Sequence, residues 1–260
     1  MFGFGSARPT AREVAVRALI LRQVVVHALA TPTPTILREA SSSWSREDRR
    51  QFEDKSERTK RELLATLERF RSKISPKERA YFRSTVFTMT ERQHLDANWR
   101  IEALQALRWC LSLIEMMPPY DVEALPEWMK GFPPSTADHF VGSASLRPGS
   151  EIDRARDLAE LWHWRSRTRQ LIEEGGAFHQ IGQFTSYDDI VRATAIRAHA
   201  NGELLDLTDG DFTAFGKAYR DLDDDEWSRL RSITVERHFA LNWVCGRAKS
   251  SKWDDTPTDT

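Results

Sequence analysis

Seven charged residues fall where the helical period of this 260-residue chain demands apolar ones. At about 100° per residue, the segment from Leu95 to Met116 shows two apolar arcs rather than one. Ala97, Ala103, Leu104, Leu107, Leu111 and Ile114 form the first, with Arg100 at its centre. Leu95, Trp99, Ala106, Trp109, Leu113 and Met116 form the second, centred on Glu102. Near the C-terminus Arg237 falls among Leu230, Ile233, Ala240, Leu241 and Val244, while Glu236 lies beside Phe239, Ala240 and Trp243. Arg17 and Arg22 interrupt an apolar run from Val14 to Ala30, and Arg165 is framed by Leu158, Leu161, Trp162 and Ile172. Buried charge is costly unless paired, so these side chains either hold one another or await a ligand. Guanidinium forks match carboxylate and phosphate geometry, which makes an anion pocket the alternative to an internal network. Five Arg against two Glu leave a surplus of positive charge, part of which can snorkel outward.

Other chemistries find little support. There is no His-Glu-x-x-His, no paired Cys motif and no full calcium-loop spacing, so neither metal nor cofactor is implied. Asp209-Gly210-Asp211 is too short for an EF-hand. His238 reads as a hydrogen-bonded core histidine, although His163, Asp254 and Glu236 could converge on it as an acid–base group. No Gly-x-Ser-x-Gly elbow or phosphate-cradling glycine loop occurs. Cys110 and Cys245 sit in apolar helical stretches, where burial raises a thiol pKa and blunts its nucleophilicity. They read as reduced core residues, which suits the cytoplasm.

Composition narrows the class further. Apolar residues make up 40% and charged residues 30%, ordinary for a globular protein. A formal net charge of −1 argues against a general nucleic-acid binder. Charge is unevenly spread: residues 44–79 hold 12 basic and 8 acidic side chains, whereas residues 203–226 hold 9 acidic and 2 basic. The acidic stretch is either a solvated face or a surface for a cationic partner. Arg17 and Arg22 break the Val14–Ala30 run, so it reads as neither a membrane span nor a signal core.

The elements that must position the charges are helices. After a loose stretch over residues 1–9, the pattern predicts a helix from about Ala11 to Leu29, packed on the Leu95 helix and ended by Thr31-Pro32-Thr33-Pro34. Residues 44–73 read as one exposed charged helix. Ser75-Pro76-Lys77-Glu78 combines an N-cap, a first-turn proline and a capping-box Glu. It opens a helix that leads, with a break near Thr88, into the two-faced one ending near Glu115. Residues 117–150 carry six prolines and form a long connection, either a lid or a wrap over the bundle. Helices follow over 151–174 and 187–200, the latter stopped by Asn201-Gly202. Asp209-Gly210 between two apolar runs predicts a type I′ hairpin within 204–215. Asp223-Asp224-Asp225 opens the last long helix with carboxylates suited to the helix dipole.

Two C-terminal runs, Glu236-Arg237-His238-Phe239-Ala240-Leu241-Asn242-Trp243 and Trp253-Asp254-Asp255-Thr256-Pro257-Thr258-Asp259-Thr260, carry a family resemblance. Trp99-Arg100-Ile101-Glu102-Ala103-Leu104 and Asp209-Gly210-Asp211-Phe212 add to it. Together they resemble domain-of-unknown-function family 4272, an uncharacterised bacterial group, over roughly residues 8–260. The resemblance implies a single, mostly helical domain and supplies no activity, so no catalytic residue follows from it.

The expected protein is therefore an all-α, single-domain helical bundle over residues 10–260 with one small β-hairpin. No motif assembles nucleophile, base and electrophile, which favours a cytoplasmic protein-binding or regulatory role without catalysis. The alternative is an enzyme or small-ligand binder with an arginine/glutamate pocket for phosphate or carboxylate. Candidate ligand-binding residues are Arg100, Glu102, Arg165, Glu236, Arg237, His238, Asp254 and Asp255. A protein partner or a small anion is expected; nucleic acid and membrane are not. The tail Trp253–Thr260 reads as a strap in which Trp253 fills a core gap and the Asp residues cap helix ends, or as an acidic tip facing a ligand.

Overall fold

The computed structural model describes residues 7–180, 182–248 and 252–258. Of the expected loose stretch 1–9, residues 1–6 lie outside that range, as do Asp259 and Thr260 of the tail, and residues 7–9 are irregular.

Local sequence sets most helix starts. α1 (Ala11–Ala30), α3 (Arg46–Ala65), α4 (Pro76–Arg83), α5 (Glu91–Cys110) and α9 (Asp224–Val244) each open on a reciprocal capping box. In each, the cap side chain accepts from the backbone of the third helical residue, whose own side chain accepts from the cap backbone. α2 (Pro34–Ala40), α6 (Ala137–Ser143) and α8 (Tyr187–Ala200) open on simple Thr or Ser caps. α7 (Gly149–Glu173) follows Pro148.

Two helix ends differ from expectation. The charged stretch over 44–73 is not one helix: α3 stops at Ala65, and residues Glu68–Lys73 form a tighter 3₁₀ turn. Between them Leu67, 1% exposed, is drawn into the core, which bends the chain there. α5 ends at Cys110, not near Glu115. Its terminus is a Schellman motif: the Ser112 N–H bonds Trp109 O at 2.9 Å and the Leu113 N–H bonds Arg108 O at 3.0 Å. Ser112, at φ 58°, takes the left-handed position that glycine usually fills, so the sequence carried no stop signal.

α1, α5, α9 and α7 lie side by side in that order, α5 packed between α1 and α9. That sandwich explains why α5 is apolar on two faces: each arc has a helix against it. The stretch Ala11–Ser43 is long and apolar enough to cross a membrane, but 72% of its apolar window is buried inside the protein. α1 is thus covered by α5, α3 and α6.

The Asp209-Gly210 hairpin forms as the sequence predicts, with both turn residues at positive φ, 52° and 77°. β1 (Leu207–Thr208) pairs antiparallel with β2 (Asp211–Ala214), Leu207 opposite Phe212. A second turn with Phe215 at φ 51° and Gly216 at 71° adds β3 (Lys217–Ala218), so the sheet has three strands. Phe212 is fully buried, edge-on to Trp162 at 5.2 Å, and Trp162 stacks on Tyr120 of the proline-rich connection at 5.3 Å. That connection is a wrap, pinned by Tyr120, Phe132 and Phe140, each under 8% exposed.

The C-terminal turn, Trp253–Asp255, closes the bundle. Trp253 is 3% exposed, with Phe239 and Trp243 edge-on at 4.7 and 5.2 Å and the Arg17 guanidinium over its face at 5.1 Å. Trp253→Ala should lower unfolding free energy by about 3–5 kcal/mol, the scale of a lost core aromatic. Urea unfolding of the variant reads this directly, and an unchanged midpoint would show that the strap does not anchor the core.

Candidate functional site

The charges predicted on apolar faces meet in four ion pairs. At the centre, Glu102 on α5 and Arg237 on α9 are both fully buried, with Glu102 Oε2 2.9 Å from Arg237 Nε and 2.8 Å from Nη2. Glu102 Oε1 accepts from the Ala124 N–H at 2.6 Å. Arg237 Nη1 donates to Pro118 O at 2.6 Å and Pro119 O at 3.0 Å, and Nη2 donates to Val122 O at 2.9 Å. Every donor nitrogen of the guanidinium is thereby engaged, and the pair clasps the proline-rich wrap to the bundle. No room for a ligand is left there.

The other pairs behave alike. Arg100 and Glu236 bond at 3.0 Å at the α5–α9 boundary, with the Arg100 guanidinium over Phe239 at 4.9 Å. Burial lifts the Glu236 carboxyl above its ordinary pKa while Arg100 pulls it down. Arg165 forks onto Asp211 at 2.8 and 2.6 Å, and Asp211 also accepts from the Phe212 and Arg220 N–H groups. Arg17 meets both oxygens of Glu78 at 2.7 Å and donates to Lys73 O at 2.8 Å. Asp211 and Glu78 are the partners the helical projection missed. One sits in the hairpin and the other in a capping box, so neither lay on an apolar arc. With them the expected surplus of positive charge largely disappears. Arg22, with no acidic partner among the described residues, donates instead to Phe132 O at 2.7 Å.

His238 is fully buried, and its predicted convergence is only partly realised. Its Nδ1 lies 2.9 Å from His163 Nδ1, and Asn242 Nδ2 donates to its Nε2 at 2.8 Å. Arg156 Nε donates to Asn242 Oδ1 at 2.9 Å, which fixes the amide orientation. Nε2 of His238 must therefore accept, leaving the proton on Nδ1 to be donated to His163. Burial, reinforced by the His163 and Arg156 charges, drives the His238 pKa down to about 3. Glu236 stays with Arg100, and Asp254 stands at the start of α4, so the four do not form a catalytic cluster.

Asp254 and Asp255 instead face a cleft of about 590 Å³ between the start of α1, the turn leading into α4, and the C-terminal turn. Asp254 Oδ2 accepts from the Lys77 N–H at 2.9 Å, capping the first turn of α4. Arg12, Lys73 and Arg79 line the same cleft, and Arg12 and Arg79 are exposed with no ion-pair partner among the described residues. Trp243 and Trp253 form part of its floor. A smaller cavity of about 250 Å³ lies across Trp253 and Asp254, lined by Arg100, Tyr81 and Asp96. Of the predicted site residues, then, Glu102, Arg165, Glu236, Arg237 and His238 are internal, Arg100 borders the smaller cavity, and Asp254 and Asp255 reach the larger. Arg12 and Arg79 went unnoticed because an exposed charge in a first helical turn has no distinctive sequence signal. Both thiols are buried, and burial pushes the Cys245 pKa up to about 12.

The family described as "Domain of unknown function (DUF4272)" matches residues 6–175, and the chain belongs to that family. The matched region runs from α1 through α7. It contains Glu102 and the α1 and α4 walls of the cleft, while Arg237 and the C-terminal turn lie beyond it. No curated protein and no solved structure matches the chain.

Two consequences are measurable. Arg237→Met should destabilise by about 3–5 kcal/mol because Glu102 is left buried and unpaired, and Glu102→Leu in the same chain should restore part of the loss, the backbone groups of the wrap staying without these partners. A double-mutant cycle by urea unfolding in which the two losses simply add would contradict the clasp. The second concerns pH. His238 and His27, the latter held down at about 4 by burial, are neutral in the fold. Their unfolded counterparts take up protons below about 6.5, so their stabilisation is complete above that value and is lost as pH falls toward the folded pKa. Each should lose about 1.5 kcal/mol between pH 6.5 and 5, partly offset by the raised Glu236, which acts in the opposite sense. Unfolding free energies across that range should fall by about 2–3 kcal/mol in total, whereas a flat profile would refute the assignment.

Proposed function

We propose that this member of family 4272 is a cytoplasmic, non-catalytic binding protein whose cleft beside the C-terminal turn takes a small ligand by its acidic group. The observation that carries the reading is the pair Arg12 and Arg79: two exposed arginines from two helices, without ion-pair partners among the described residues, lining one cavity of about 590 Å³. That volume is within the range of small-molecule sites, and guanidinium forks suit carboxylate or phosphate. By contrast the buried Arg17, Arg165 and Arg237 each hold a carboxylate within the fold, so their charge is already met. Two buried free cysteines support a reducing compartment.

A protein partner is the second reading, favoured by Leu29 and Leu95. They stand 47% and 54% exposed on a shallow groove of about 240 Å³ that Trp99 and Pro126 also line. The anion reading has the greater support because its cleft combines the larger volume with unpaired charge.

Calorimetric titration with inorganic phosphate and with N-acetyl-alanyl-leucine, an acid without an ammonium group, tests the proposal. At least one should bind saturably at one site per chain, and the Arg12→Ala/Arg79→Ala double variant should lose tenfold or more in affinity with its melting temperature kept. Failure of both probes and of unblocked alanyl-leucine alike, or unchanged binding by the double variant, would overturn the reading.

A further inference from the structure

The cleft has an acidic side as well as a basic one. Arg12, Lys73 and Arg79 come from α1, the turn after α3 and α4, whereas Asp254 and Asp255 come from the C-terminal turn, which Lys252, also a lining residue, precedes. Arg17 also lines it but is held by Glu78, and Glu13 is held by the Thr10 N–H at 2.9 Å. Among the described residues Asp254 is not paired with a cation, and like Glu13 it is held through one oxygen only. Its Oδ2 accepts from Lys77 N–H, but Oδ1 has no hydrogen-bond partner among the described residues, and its carboxylate is only part-buried. A carboxylate in that position repels a simple anion and attracts a cation. Val16, Ile74 and Pro76 supply apolar wall for a hydrocarbon body.

Resting on the anion reading above, we propose that the ligand is zwitterionic, of the amino-acid or short-peptide class. Its carboxylate is held by Arg12 and Arg79, and its ammonium by Asp254. The presence of both signs of charge around the cleft then becomes a selectivity device: a compound with only one of the two groups gains one attraction and meets the opposite repulsion. The Asp254 cap on α4 fixes the carboxylate in place before binding, so little ordering is needed when the ammonium arrives. The volume of about 590 Å³ suits a dipeptide better than a single small amino acid.

Titration of the intact chain with alanyl-leucine, its N-acetyl form and its C-terminal amide tests this. The free dipeptide should bind at one site, and blocking either end should weaken binding at least tenfold. Asp254→Asn keeps a side-chain oxygen for the Lys77 N–H but removes the charge. It should weaken the free dipeptide about tenfold while the N-acetyl form, relieved of the repulsion, binds more tightly than it does to the native chain. An N-acetyl dipeptide that binds as tightly as the free one overturns the zwitterion and leaves the anion reading standing. An amide that binds as tightly as the free dipeptide overturns both. No binding of the free dipeptide, where phosphate binds, also overturns the zwitterion. The melting temperature of Asp254→Asn without ligand serves as the folding control, and if that variant fails to fold the blocked dipeptides on the native chain decide the matter.

Discussion

The bundle depends on the pairing of Glu102 with Arg237. Two opposite charges at zero exposure are tolerable only when every lone pair and proton is matched, and here the surrounding backbone completes the match. The guanidinium takes three carbonyls of the proline-rich wrap, and the carboxylate takes one N–H of the same segment. Prolines lack an N–H and make poor partners for helix or strand, so their carbonyls need donors from elsewhere. The buried arginine supplies them. α5, α9 and the wrap are thereby set in one register, and Tyr120 lands on Trp162 of α7. An apolar pair at the same positions could fill the space, but it would leave those backbone groups unsatisfied.

This arrangement explains which parts of the molecule were legible in sequence. Helix starts such as those of α4 and α9 were, because capping is local: Ser75 and Asp223 each announce their helix within four residues. The hairpin was, because Asp209-Gly210 satisfies a backbone requirement that few other pairs meet. The end of α5 was not, since Ser112 adopts a glycine-like conformation without being glycine. The existence of buried charge was plain from periodicity, as Glu102 and Arg237 show. Partner identity was not, because Arg165 pairs with an acid 46 residues away on a strand, and no helical projection spans that gap.

The cleft was the least legible feature. Its acidic members, Asp254 and Asp255, stood out through an unusual tail sequence. Its basic members lie in the ordinary first turns of α1 and α4, where nothing separates a ligand-binding arginine from a solvated one. Only the fold shows that these turns face one another across the C-terminal segment. The arginines conspicuous in sequence were conspicuous because burial is expensive, and expense demands an internal partner. The arginines free to meet a ligand are those whose placement cost little.

The C-terminal turn joins the two halves of this account. Trp253 packs between the Arg17–Glu78 pair and the aromatic edge of α9, while the next residue caps α4 and borders the cleft. Arg17 itself holds the carbonyl of Lys73, whose side chain lines the same cavity. Core, ion pair and cleft wall therefore share residues rather than merely adjoin. A change that loosens Trp253 alters both the stability of the bundle and the position of the Asp254 carboxylate. Part of the proposed site's wall is thereby tied to the core it closes, and anchored side chains are the condition under which a few polar groups can discriminate between small ligands.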